Sequence, residues 1–199
     1  MPEPVILASA SPVRARLLGD AGVAATVAVS GVDEAPIKAR LREVGGSPLD
    51  CAMALAEAKA RAVAERHPEA LVVGADQLLA CGDDWFDKPD TLAAARAQLI
   101  ALRGRAHVLE TAVCVARDGE LLWHGESRPC LRMREFSDGF LSGYLAAEGE
   151  AALGSVGGYR LEGRGVQLFE RIEGDHFAIL GLPLIELLEF LRRRGALPT

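Results

Sequence analysis

The run ALVVGAD, residues 70 to 76, constrains the fold of this 199-residue chain more than any other segment. It is compact, apolar and β-branched, and therefore reads as a strand buried on both faces. It ends on Asp76, and a carboxylate at the end of a buried strand is costly unless it is paired or used. Ligands of α/β proteins collect outside the carboxyl ends of their strands. Asp76 could there hold a divalent metal or activate a water; the alternative is a plain turn or helix-capping aspartate.

The rest of the chain supplies partners for that strand. Val5 to Ala8 reads as a first strand, followed by a helix capped by Ser11, with Pro12 in its first turn and an end near Gly22. A second helix starts at Ser47-Pro48 and carries Leu49, Met53, Ala56, Ala60 and Val63 on one face. A hairpin turns at Gly82-Asp83, and Asp90 or Thr91 caps a third helix that ends before Gly104. His107 to Ala116 and Glu120 to His124 are expected to pair through the turn Asp118-Gly119. Cys130 to Arg134 reads as a strand before a helix capped by Ser137. Val166 to Ile172 and Phe177 to Leu180 read as two more strands, and Pro183 opens an amphipathic helix that stops at Gly195. Crossovers and hairpins together predict an α/β protein with a mixed sheet.

Composition removes several classes. The formal net charge of −6 argues against broad binding to nucleic acid, which needs a basic face, but leaves room for a single nucleotide. Every apolar run is interrupted by Arg, Asp or Gly, so no bilayer span is expected. The opening MPEPVILASASP has no cationic segment before its short apolar stretch, so a secretory leader is not expected. Cys51, Cys81, Cys114 and Cys130 form no CxxC pair; buried free thiols in a reducing cytoplasm are the expectation. The four histidines have no ligand spacing, and the late glycines match neither a dinucleotide fingerprint nor a P-loop.

Two further groups could carry chemistry. Ser9, Ser11 and Arg14 flank the first strand-to-helix junction, where unpaired N–H groups and the positive end of the helix dipole attract phosphate. The alternative is an ordinary capped helix with a surface arginine. The second group is Asp33-Glu34 with Lys59 and Lys88, carboxylates of the kind that bind Mg²⁺ and lysines that neutralise phosphate. Glu34 is equally placed for a helical pair with Lys38, four residues on, and either lysine could be merely solvated.

Taken in order, LASASPVRARLL, VDE at 32 to 34, LAEAKA at 55 to 60, VVGADQ at 72 to 77, DKP at 87 to 89, LRGRAH at 102 to 107 and the late GYRLEGRGVQLFERIEGDHFAILGLPLIELLEFL resemble the Maf family of nucleotide pyrophosphatases over nearly the whole chain. The resemblance implies one domain over residues 1–199, with an elongated, two-lobed Maf/ITPase-like fold and a central cleft, often dimeric. It implies cleavage of a nucleoside triphosphate to the monophosphate and pyrophosphate, dependent on a divalent cation, Mg²⁺ or Mn²⁺. Asp76 would be the catalytic acidic residue and, with Glu34, a metal ligand. Ser9, Ser11, Arg14, Lys59 and Lys88 would grip phosphate. Gln77, Glu162 and Gln167 would bear on substrate choice, and look more like the branch that handles 7-methyl-GTP than the dTTP/UTP branch. The resemblance also leaves a nucleotide-binding role in cell division or septum formation as a rival. Val13 and Ala15 depart from the family, which often has adjacent arginines after Ser-Pro; Arg16 is the only nearby replacement.

Overall fold

The computed structural model describes residues 3–198. Among these, eight strands form a mixed sheet ordered β2-β1-β3-β5-β7-β8, with β4 on β3 and β6 on β5. In chain order the elements are β1 (Val5–Leu7), α1 (Pro12–Asp20), β2 (Ala25–Val27), α2 (Glu34–Glu43), α3 (Pro48–Ala64), β3 (Leu71–Cys81), β4 (Asp84–Phe86), α4 (Leu92–Leu102), β5 (Ala106–Arg117), β6 (Glu120–Ser127), β7 (Cys130–Met133), α5 (Asp138–Glu148), β8 (Phe169–Glu173), α6 (His176–Ile179) and α7 (Leu184–Arg193). No helix among the described residues is long and apolar enough to cross a membrane.

The chain divides into two compact units. The first comprises Met1–Gln77, Thr111–Ser127 and Asp175–Thr199, the second Leu78–Glu110 and Arg128–Gly174. In the first unit β1 pairs in parallel with β2 on one side and with Leu71–Val73 of β3 on the other. Its core joins Val5, Leu7, Leu71, Val73 and Ala75 of these strands to Leu17 and Leu18 of α1 and to Leu184, Leu187, Phe190 and Leu191 of α7. The helices start where their caps dictate. Ser11 accepts from the Arg14 amide, and Ser47 and Asp50 form a reciprocal capping box at α3.

Three expectations need correction. The strand through residue 76 does not stop there; β3 runs on to Cys81, so Asp76 is an interior residue of a long strand. Phe177 to Leu180 is not a strand, because Asp175 accepts from the Phe177 and Ala178 amides and starts the short helix α6. The expected strand from Val166 is delayed to Phe169 by a 3₁₀ turn over Arg164–Leu168. By contrast, the hairpin at Asp118-Gly119 is present, with φ of 49° and 75° and Arg117 opposite Glu120.

The second unit packs α4 and α5 with the hairpin end of β3, the start of β5, and β7 and β8. Its core includes Leu99, Leu102, Leu109, Leu131, Met133 and Leu141. The glycine-rich stretch serves close packing: Gly157, at φ 79°, leaves no room for a Cβ against Leu79 and Tyr159. The cysteines behave as small hydrophobes. Burial pushes the Cys114 thiol up to about 12 and raises that of Cys81.

His107 is a buried titratable group in this unit. It is 1% exposed, lies 5.6 Å from the Tyr159 ring and 5.9 Å from that of Phe169, and has Nε2 2.8 Å from the Tyr159 hydroxyl. Burial lowers its pKa to about 4, against an ordinary 6.5. Between these values the unfolded chain binds the proton that the folded chain refuses. Stability therefore falls as pH drops from 6.5 towards 4, by on the order of 3 kcal/mol. Urea midpoints measured across this window are expected to fall for the natural protein and to fall much less for His107→Phe. An identical slope for the two would exclude His107 as the source.

Candidate functional site

The site grows from the point where β1 leaves the sheet. Leu7 pairs with Val73, the Ala8 amide donates to the Val73 carbonyl at 2.8 Å, and the chain turns away into α1. Beyond that point β3 continues without β1 beside it, and its next residues are Gly74, Ala75 and Asp76. Gly74 is required here by contact. A Cβ at this position would collide with the Ala56 carbonyl and lie 2.7 Å from the Ala60 amide nitrogen, so α3 rests its backbone directly on β3. That approach brings Lys59 of α3 to Asp76.

Lys59 Nζ lies 2.5 Å from Asp76 Oδ1 and 2.6 Å from Glu34 Oε1, so one ammonium links two carboxylates. The Lys59 and Asp76 side chains are each 11% exposed, a place in which a charge requires an opposite charge beside it. Glu34 also meets Lys38 at 3.0 Å, the helical pair that its spacing allowed. Burial works to raise the Glu34 pKa, but the hydrogen bonds and charges of Lys59 and then Lys38 outweigh it and leave the carboxyl below its ordinary value.

Arg14 is anchored beside this cluster. Nε donates to the Gly181 carbonyl at 2.7 Å; Nη1 donates to the Ala75 carbonyl at 2.8 Å and to Ser9 Oγ at 3.2 Å. Burial lowers the Arg14 pKa, while the charges of Asp76 and then Glu34 pull it back up. Ser9 is 8% exposed, and its oxygen also accepts from the Ser11 amide at 3.2 Å. Two accepted bonds occupy both lone pairs of that hydroxyl, which leaves its hydrogen to donate. Lys59 likewise uses two of three donors on carboxylates. Ser11 caps α1, and Val13 and Ala15 pack against the core. Arg16 is exposed and, two residues beyond Arg14, projects from a different side of α1.

The first unit thus gathers Ser9, Arg14, Glu34, Lys59 and Asp76. Gln77 points to the opposite face of β3, where its amide donates to Thr111 Oγ1 at 2.8 Å and to the Ala178 carbonyl at 2.9 Å. Lys88, Glu162 and Gln167 belong to the second unit. Lys88 is exposed in the loop after β4. Glu162 is exposed 3.5 Å from Arg160, and the Gln167 carbonyl accepts from Arg134 at 2.6 Å. The contributions of Gly74, Ala75 and Gly181 were not anticipated from sequence. A glycine inside an otherwise β-branched strand marks a close backbone approach, and was the one signal available.

Among the described residues no group of three or more His, Cys, Asp or Glu side chains is placed to hold a metal ion. Glu34 and Asp76 are nonetheless two hard oxygen donors already sharing one cation. A Mg²⁺ or Mn²⁺ ion that keeps waters and takes phosphate oxygens needs only one or two carboxylates, so this donor set fits such an ion.

A protein-family profile described as Maf-like protein matches residues 4–194. The chain is 55% identical over 194 residues to a nucleoside triphosphate pyrophosphatase of Rhodospirillum rubrum, covering 98% of this chain and 96% of that one. It is 53% identical over 193 residues to a protein of the same name from Granulibacter bethesdensis, covering 97% and 98%. A 7-methyl-GTP pyrophosphatase of Mesorhizobium japonicum is 48% identical over 197 residues, covering 99% of both chains. The chain belongs to the Maf-like protein family.

Proposed function

We propose that this protein is a nucleoside triphosphate pyrophosphatase, which adds water at the α-phosphorus and releases the nucleoside monophosphate and pyrophosphate. The observation that carries the reading is the cluster at the end of β1. Asp76 is held by Lys59, while Lys59, Ser9 and Arg14 each keep a hydrogen-bond donor uncommitted among the described residues. Such donors, fixed in advance by the fold, suit the charge of a polyphosphate whose leaving group grows more negative as the bond breaks. The relatives named as pyrophosphatases support the same reaction.

Asp76 orients the attacking water through Oδ2, the oxygen that Lys59 does not occupy, and receives its proton as the new P–O bond forms. The electron pair of the broken anhydride bond departs on pyrophosphate. Lys59 and Arg14 neutralise phosphate oxygens, and Ser9 donates its hydroxyl hydrogen to one of them. Glu34 directs Lys59 through its 2.6 Å contact. Glu34 and Asp76 would hold a divalent ion, which when bound supplies further neutralisation of the phosphates. By the family resemblance Lys88 is assigned to phosphate neutralisation and Gln77, Glu162 and Gln167 to the choice of base, with 7-methyl-GTP the leading candidate.

Two measurements test this. A panel of unmodified and methylated triphosphates with Mg²⁺ or Mn²⁺, assayed by pyrophosphate release, is expected to show turnover with 7-methyl-GTP favoured; turnover of none would end the reading. Asp76→Asn is expected to retain the fold, because Lys59 still pairs with Glu34, and to lower kcat by about 10²–10⁴-fold. Near-normal release by that variant at saturating metal would remove Asp76 from the chemistry.

A further inference from the structure

The turn after α6 supplies no group to the reaction described above, yet it holds the arginine that does. A guanidinium has five N–H donors in one rigid plane. In Arg14 three are used inside the fold, on the carbonyls of Gly181 and Ala75 and on Ser9 Oγ. The two on Nη2 have no partner among the described residues. Two backbone carbonyls from distant parts of the chain therefore set the plane of the guanidinium, and with it the direction in which Nη2 donates.

Gly181 is shaped for this task. Its φ is +99°, a conformation that residues with a side chain rarely adopt, and a Cβ there would lie 3.2 Å from Arg14 Nε and 3.4 Å from Nη2. A side chain at 181 would thus both strain the turn and crowd the guanidinium. The carbonyl itself is firmly placed. Asp175 caps α6 through the Phe177 and Ala178 amides, the Gly181 amide donates back to the Ala178 carbonyl at 2.9 Å, and Leu182 donates to Phe177 at 3.1 Å. The Ala178 carbonyl also accepts from Thr111 Oγ1 at 3.1 Å and Gln77 Nε2 at 2.9 Å, which ties the turn to β5 and β3.

We propose that Gly181 is a positioning residue for anion recognition: its carbonyl, with that of Ala75, orients Arg14 so that Nη2 faces a phosphoryl group. The assignment rests on the triphosphate reading for its ligand but not for its geometry. It explains why an arginine stands where a lysine would not serve. An ammonium lacks the planar fork that can bond two carbonyls and a hydroxyl and still present donors to a ligand.

The test is a double-mutant cycle on the full chain, with kcat and KM measured for the triphosphate that the natural protein turns over. Gly181→Ala is expected to lower kcat/KM about tenfold when Arg14 is present, and by less than about twofold in an Arg14→Ala background, since groups that act through one another are not additive. A loss by the same factor in both backgrounds would mean that Gly181 serves the fold alone and would overturn the proposal, as would kinetics unchanged by Gly181→Ala. If Gly181→Ala does not fold, Asp175→Ala, which loosens the same turn without adding atoms, replaces it in the cycle; an additive loss or none there overturns the proposal equally. Should the natural protein turn over no triphosphate, the reaction assigned above fails by itself. The same four proteins are then compared by calorimetry with inorganic pyrophosphate. There a loss of affinity on Gly181→Ala that disappears without Arg14 supports the positioning role, and a loss independent of Arg14, or none, rejects it.

Discussion

A single ammonium between two carboxylates is the interaction on which the cluster at the end of β1 depends. Lys59 reaches both Glu34 and Asp76, at 2.6 and 2.5 Å, from a helix that can come close enough only because residue 74 has no side chain. Remove the lysine, and the two carboxylates would lose the cation that they share. With it, each carboxylate has an ammonium partner, and the ammonium retains one donor uncommitted among the described residues. The ammonium thus satisfies both carboxylates without using all of its own bonding capacity.

The arginine follows the same logic by other means. Carbonyls hold it where carboxylates hold the lysine, so its positive charge is only partly compensated by the more remote Asp76 and Glu34. A cation fixed by dipoles rather than by a counter-ion keeps more of its field for an incoming anion. The two modes of anchoring are charge on charge for Lys59 and charge on dipole for Arg14. Relatives named as pyrophosphatases share about half their residues with this chain.

Much of the scaffold was legible beforehand, for local reasons. Caps at Ser11, Ser47 and Ser137, the turn at Asp118-Gly119 and the buried run before Asp76 each specify their conformation within a few residues. The misread segment at Phe177 to Leu180 shows where local information ends. Four apolar residues suit a short strand or a helical turn equally, and the deciding hydrogen bonds come from the Asp175 carboxylate. Asp33 likewise caps α2, a helix without a buried residue, whose apolar pattern is too weak to announce it.

By itself the sequence determined the burial of the strand around residue 73, the presence of a carboxylate at 76, the hydroxyls and arginine at the head of α1, and the family to which these belong. Only the tertiary structure decided which charges meet. Lys59 and Asp76 are 17 residues apart and Arg14 and Gly181 are 167 apart, and no periodicity or cap encodes such distances. They are set by how closely α3 lies on β3 and by the course of one turn after α6. Those are consequences of packing backbone against backbone, which depends on every element at once.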